Sequence, residues 1–444
     1  MSDSLKIFFL ILIICLPVNA RQEDTLYYRG NYSVLLDSIK IAGNEITEEI
    51  IILRELTFGI GDTLNHELAS FNRERIYSLD IFNEVILKPI KVDDKNILII
   101  EVEESWYIYP LPFVRLKDKD WEKISYGIAV SLKNFRGRNE TLRGVVAFGF
   151  DPSFSFSYLN PNLVYKHDLF LHTVLGFNTS TNKSTTAEEL HGESFEQKIY
   201  FGRVTFGKRF GLYNRFALKT GYDYVETPFY IKGVNASDSR IDRTVMIGAS
   251  YTYDTRDLAH YPSSGIYAFV NYEFKGLGIN NINYRVGNLD FREYRKFFNK
   301  LTAKLRFAIR HTAGSTVPFY DYSYLGYSER VRGYFHSSKR EGNDRIIGSV
   351  ELNYPVIEET RIKLYFIPLL PKSLLSYRVA LISELFVDTG TTRLQGETLS
   401  IKNFDTGYGG GLSVLFLPYF VMRFELAFNE QGNSEWIFDI GASF

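Results

Sequence analysis

From Trp106 onward, apolar and polar positions alternate with a period of two. Ile124, Tyr126, Ile128, Val130 and Leu132 interleave with Ser125, Gly127, Ala129 and Ser131. Leu301, Ala303, Leu305, Phe307 and Ile309 do the same with Thr302, Lys304, Arg306 and Arg310. Val350, Leu352 and Tyr354 oppose Ser349, Glu351 and Asn353; Val379, Leu381, Leu385 and Val387 oppose Arg378, Glu384 and Asp388; Phe420 to Phe428 oppose Arg423 and Glu425. Within each segment the charges share one parity, and parity along a strand is a face. The pattern predicts about sixteen antiparallel strands between residues 106 and 444.

The stretch 33–104 has a different rhythm. Leu35 to Ile41 alternates, and Gly43-Asn44 turns. Thr47-Glu48-Glu49 is placed to cap a helix through Leu56, and a second helix is expected over His66 to Leu79. Val85 to Val92 and Ile97 to Val102 then flank the Asp93-Asp94 turn as a strand pair. This is a small α+β domain ahead of a mainly β chain.

One charged face and one apolar face fit either a soluble sandwich or a membrane barrel, and periodicity alone does not choose. Residues 1–20 favour the barrel: Lys6, the apolar run Ile7 to Leu16 and the small-residue end Val18-Asn19-Ala20 form an export signal too short to span a bilayer. The strands continue to the last residues. There Trp436, Phe438, Ile440 and Phe444 share one face, and Asp439, Gly441 and Ser443 the other. A terminal strand ending in an aromatic is what outer-membrane barrels present to the barrel-assembly machinery, so this chain is expected to be a client of that machinery. Its lipid-face positions should tolerate charge poorly, and a lumen-face change such as Arg423→Gln should be mild.

Composition removes other classes. Of 444 residues, Lys+Arg total 51 and Asp+Glu 52, a balance that offers nucleic acid no basic surface. Aromatics make up 16%, which suits pleated surfaces and excludes a disordered chain. The one cysteine, Cys15, lies inside the export signal, so disulfides, thiolate metal sites and cysteine nucleophiles are not expected after cleavage. The seven histidines show no metal-ligand spacing on a helix, and neither a nucleophile elbow nor a phosphate loop is present. No enzyme activity, cofactor or metal is expected.

Several motifs carry a family likeness. Ile39-x-Ile41-x-Gly43-Asn44, Thr47, Gly61-Asp62, Leu79 and Phe82 resemble the pattern of a POTRA domain. Val331-Arg332-Gly333-Tyr334, followed by Gly348-Ser-Val-Glu-Leu-Asn-Tyr-Pro355 and later by Phe386-Val-Asp388-Thr-Gly390, is similar to the sixth extracellular loop and partner strands of the BamA/TamA superfamily, the bacterial surface antigens. Asp254-Thr-Arg-Asp257 with Pro262-Ser-Ser-Gly265 resembles that family's mid-barrel periplasmic turn. The resemblance implies a single periplasmic POTRA domain (33–104), a transmembrane barrel (106–444) in the bacterial outer membrane, and client polypeptides as partners. It implies a loop lock in which Arg332 meets Asp388 bidentately in the lumen, Gly333 turns the loop and Tyr334 packs one side. It also departs from the family. One POTRA domain stands where insertases carry several and two-partner secretion transporters two, and no room is left for a plug helix. The connection through Ile367-Pro-Leu-Leu-Pro371 is long for a periplasmic turn and suits the membrane surface. A pore or scaffold, a secretion transporter and an insertase all remain open. A short seam between Tyr107–Arg115 and Trp436–Phe444 would separate an opening barrel from a closed one.

Overall fold

The computed structural model describes residues 32–116, 123–298, 300–326, 329–334, 340–368, 371–418 and 420–444. The expected export signal, residues 1–20, lies outside them. The N-terminal domain runs β1 (Ser33–Leu35), β2 (Ser38–Ala42), α1 (Glu49–Leu53), β3 (Thr63–Asn65), α2 (His66–Tyr77), β4 (Phe82–Val92) and β5 (Lys95–Glu104). Its main sheet has the order β2-β5-β4, with β2 parallel and β4 antiparallel to the central strand, while β1 pairs with β3.

Two expectations for this domain are corrected. Thr47 does not cap α1. Its backbone N–H and hydroxyl both donate to Glu104 Oε1, at 2.7 and 2.6 Å, and no side chain caps the helix. The helix also stops at Leu53 rather than Leu56. The next N–H groups, of Glu55 and Leu56, bond three residues back, and the Glu55 carboxylate turns out to meet Arg75 and Arg209. The second helix is closer to expectation, with Asn65 accepting from the Leu68 N–H at its start.

The remainder forms one sixteen-stranded antiparallel sheet. Its first half is β6 (Ile108–Leu116), β7 (Ile124–Phe135), β8 (Glu140–Gly149), β9 (Ser153–Val164), β10 (Leu169–Thr181), β11 (Glu196–Phe210), β12 (Asn214–Glu226) and β13 (Ile241–Asp254). After β14 (Gly265–Lys275), β15 (Tyr284–Phe297) and β16 (Leu301–Gly314), a long loop carries the two-residue strands β17 (Ser323–Tyr324) and β18 (Glu341–Gly342). The sheet resumes with β19 (Asp344–Lys363), β20 (Ser376–Arg393), β21 (Asp405–Leu417), β22 (Phe420–Asn429) and β23 (Ser434–Ile440). Every neighbouring pair is sequential except β16 with β19, which pair across the long loop.

Face parity follows the sequence. On β22, Val421, Arg423, Glu425, Ala427 and Asn429 are buried, and the residues between them point outward. On β20, Arg378, Glu384 and Asp388 lie on the buried face, while Leu385 and Val387 are exposed. Outward apolar rings and aliphatics with an inward polar lining are the arrangement of a membrane barrel. The inward side chains of β16, β19, β20 and β22 converge on one interior, so the sheet is curled into that barrel.

Candidate functional site

The lumen is organised around Arg332, which the β16–β19 loop carries back into the barrel. Its Nε and Nη2 donate to Asp388 Oδ2 and Oδ1 at 2.6 and 2.8 Å, a two-point fork that fixes angle as well as distance. Its Nη1 donates to Glu425 Oε1 at 2.6 Å and to Glu351 Oε2 at 3.2 Å. The guanidinium carbon stands 3.5 Å from the centre of the Phe386 ring, and the residue is only 4% exposed. A guanidinium so far from water needs this many acceptors, because an unpaired buried charge costs several kcal/mol.

The backbone around it is equally constrained. Gly333 has φ +97°, and a Cβ there would stand 2.9 Å from the Phe428 carbonyl oxygen. A Cβ at Gly407 would collide with the Arg332 carbonyl. Both glycines therefore let the loop lie directly on β21 and β22. Val331 is buried with Ala308, Leu325 and Ile347, and Tyr334 packs on that apolar cluster. The ring expected beside the guanidinium is therefore supplied by Phe386 and not by Tyr334. Phe386 lies two residues before Asp388, on the same face of the same strand.

The sequence reading joined Arg332 to Asp388 but missed Glu351, Glu425 and Phe386. Parity put both glutamates in the lumen; which lumenal side chains meet also depends on strand stagger and loop path. Arg423 was misjudged. It is 5% exposed and donates to Glu425 at 2.9 Å, to Asp439 at 2.8 Å and to the Gly441 carbonyl at 2.9 Å, so its replacement is not expected to be mild. Glu351 also accepts from Lys304 at 3.0 Å, and Lys304 lies 4.0 Å from the Tyr261 ring centre.

The end of the described chain corrects a further expectation. Trp436, Phe438 and Ile440 point outward at 81%, 53% and 66% exposure. Phe444 does not continue their face. The strand ends at Ile440, and Gly441 takes φ +122°. Ala442, Ser443 and Phe444 then line a lumenal cavity of about 290 Å³ with Arg306, Arg332 and Arg423. The Tyr294 hydroxyl donates to the Phe444 carbonyl at 3.2 Å.

The seam is the other departure from a regular barrel. Among the described residues no ladder joins β6 to β23, although every other neighbouring pair in the sheet is bonded. At the end of the barrel where β6 begins, the N-terminal domain sits in the mouth. Its buried core, including Ile76 and Tyr77, is continuous with Leu258, Tyr261, Ala380, Ile382, Leu415 and Val421 of the barrel. Glu74 is gripped by Arg378 Nη1 and Nη2 at 3.0 and 3.1 Å. Burial alone would raise the Glu74 carboxyl, but Arg378 and Arg73 outweigh it and hold it at about 2. Around the rim Arg54 pairs with Asp168 at 3.0 Å and Arg138 with Glu48 at 2.8 Å. Arg209 pairs with Glu55, and Lys133 with Asp80. The described part of the long 364–375 connection and the end of β19 rest on this domain as well, through Ser373 with Asn83 and Arg361 with Glu84. Among the described residues no group of three His, Asp or Glu side chains is placed to hold a metal ion.

A family model describing the Omp85 superfamily domain matches residues 134–444. Among solved structures, BamA from Haemophilus ducreyi lacking POTRA domains 1–3 aligns at TM-score 0.54 and 16% identity, covering 92% of this chain and 84% of that one. CdiB from Escherichia coli aligns at TM-score 0.54 and 12% identity, covering 93% and 79%. At these identities the likeness is one of fold. Among curated proteins, none matches the sequence.

Proposed function

Because the chain belongs to the Omp85 superfamily, an outer-membrane β-barrel family, we propose that it assists the insertion or translocation of other polypeptides, with no cofactor or ATP. The N-terminal domain acts as a single POTRA domain on the periplasmic side, which puts the Arg332 loop toward the cell exterior. The observation that carries this reading is the seam. Two strand edges of a membrane barrel stand without a ladder partner among the described residues, and an unpaired edge is a template for an extended chain. Strand pairing and apolar burial of the client as it folds supply the driving force. The edge of the N-terminal sheet offers a second place for an extended client. The lumenal lock holds the long loop while the seam works, and the docked N-terminal domain closes the mouth until a client draws it aside.

A two-partner-secretion-like transporter and a passive pore or scaffold are the competing readings. Depletion of the protein followed by outer-membrane proteomics separates them. Insertase function predicts loss of several barrel proteins, and transporter function predicts loss of one exported partner. An unchanged outer-membrane proteome would contradict both and leave the pore or scaffold.

A further inference from the structure

Two arginines of the barrel wall stand apart from the rest. On β13, Asp242, Thr244 and Met246 are buried, and Arg243 turns outward with Ile247 and Tyr251. On β15, Tyr284 and Val286 are buried, and Arg285 turns outward. The Arg243 guanidinium lies 5.5 Å from the Tyr224 ring centre, and that of Arg285 lies 5.7 Å from the Phe274 ring centre. Neither guanidinium has a carboxylate partner among the described residues, whereas Arg306, Arg332, Arg378 and Arg423 in the lumen are all held by carboxylates. A ring on one face leaves the N–H edge of a guanidinium free, and that edge matches two oxygens of a phosphate.

Both arginines sit at the end of the barrel remote from the N-terminal domain. β13 ends at Asp254, and the turn after it meets that domain, where the Ala259 N–H donates to Ser78 Oγ at 3.0 Å. Arg243 and Arg285 lie near the opposite strand ends. Below them on the same outward faces Ile247, Tyr272, Phe274 and Leu289 are exposed, so the pair caps an apolar, lipid-facing wall. Register fixes their separation. Ile247 pairs with Phe274, and Phe274 with Arg285, which leaves Arg243 two strands across and four residues along, roughly 17 Å between Cα atoms. Arg243 also leans toward Tyr224 on β12, away from Arg285. One phosphate does not bridge the two; a headgroup carrying two phosphates does.

This charge is one-sided around the barrel. β13 to β15 are in the middle of the sixteen strands, opposite the seam. In β7 to β10 and β21 to β23 the lysines and arginines are Lys133, Arg143 and Arg423. Lys133 meets Asp80 of the N-terminal domain, Arg423 is buried in the lumen, and Arg143 stands in register with Ser131 and Ser157 on the inward parity. We propose that Arg243 and Arg285 bind the two phosphates of one outer-leaflet glycolipid and so anchor the wall opposite the seam. The walls beside the seam, without such cations, stay free to move. The proposal rests on the insertion or translocation reading for its sidedness and its use. Its chemistry is that of guanidinium forks on phosphate oxygens, with acyl chains on the apolar wall below.

Lipid retention by the full-length protein, purified in detergent and read by native mass spectrometry, tests this. The probes are a bis-phosphorylated diglucosamine lipid, its mono-phosphorylated form and cardiolipin. Arg243→Gln and Arg285→Gln should each weaken retention of the bis-phosphorylated lipid about five-fold, and together about twenty-fold. The mono-phosphorylated form should bind the parent protein about five-fold more weakly. Lys208→Gln removes another outward cation set over a ring, that of Phe210 at the opposite end of the barrel, and should change nothing. Heat-modifiability confirms that each barrel is folded. Unchanged retention in the double variant would overturn the site, as would complete displacement of the lipid by inorganic phosphate. Equal retention of cardiolipin would overturn the choice of a glycolipid. None of these readouts involves a client, so their failure leaves the insertion or translocation reading intact. In intact cells Leu277→Cys, on the exposed turn between β14 and β15, should react with a membrane-impermeant maleimide. Absence of labelling would overturn the outer-leaflet placement together with the sidedness on which it rests.

Discussion

At the scale of single residues, the lock predicts an asymmetry between its two ends. Arg332→Ala leaves the buried Asp388 without its partner, beside Glu351 and Glu425, which keep Lys304 and Arg423, and should cost ~3–5 kcal/mol. Asp388→Ala removes the fork but leaves Arg332 its bonds to Glu425 and Glu351, so its cost should be the smaller, ~1.5–3 kcal/mol. The double variant should be little worse than Arg332→Ala, because the two changes remove one shared interaction. Arg332→Lys should not rescue, since an ammonium cannot make the fork or stack flat on Phe386. Denaturant unfolding in detergent, combined with protease protection of the 315–343 loop, reads all four variants. Additive single defects would show that the pair does not act as a unit. Arg423→Gln belongs with this group, and a wild-type unfolding midpoint for it would argue against the bridges to Asp439 and Glu425.

At the scale of elements, each strand and each docking contact makes its own demand. On β22, Phe424 faces outward and packs against Phe438 at a centroid distance of 5.0 Å. Phe424→Arg should destabilise by roughly 2–4 kcal/mol if the position lies near the bilayer midplane, whereas Phe424→Leu should be nearly silent. Equal tolerance of both in a detergent-based unfolding series would contradict an outward lipid face. Docking of the N-terminal domain depends on pH through Glu74. Its carboxyl is held at about 2 when docked, against an ordinary 4.5, so the charged form is the one that docks. This contribution is complete above about pH 4.5 and is lost as pH falls toward 2. Hydrogen exchange of α2 should therefore be flat between pH 7 and 5 after correction for intrinsic rates, and should quicken below 4.5. Glu74→Gln should show the quickened exchange already at pH 7. A pH-independent profile in the parent protein would remove Glu74 from the docking account.

At the scale of the whole molecule, some features were legible in the sequence and others were not, for physical reasons. A strand exposes its faces through a period of two, so the strand number and the shared polar face of Asp388 and Glu384, and that of Arg423, could be read directly, whereas the barrel, and hence the lumen, needed the export signal and the aromatic terminal strand as well. The Arg332–Asp388 pairing came from a motif resemblance. The remaining partners of Arg332 had no local signature, because a loop folding into a lumen meets whatever the stagger of distant strands puts there. Phe444 was misplaced for a similar reason. Gly441 allows the chain to leave the strand, and alternation alone carries no sign of that turn. The docking of the N-terminal domain depends on pairs such as Glu74 with Arg378, far apart in sequence and ordinary in composition.

The central claim is that the β6–β23 seam must part for the protein to act on its clients. Cysteines introduced at Val114 and Trp436, in a chain whose only native cysteine is Cys15, can be joined by thiol linkers of graded length. A matched pair at Phe291 and Phe307, register partners on β15 and β16, controls for the chemistry. Client assembly or export in cells should stop when the seam is tethered by the shortest linker that reacts, should recover as the linker lengthens, and should be unaffected by the β15–β16 tether. Full client assembly or export by protein quantitatively tethered with that shortest linker would contradict the account.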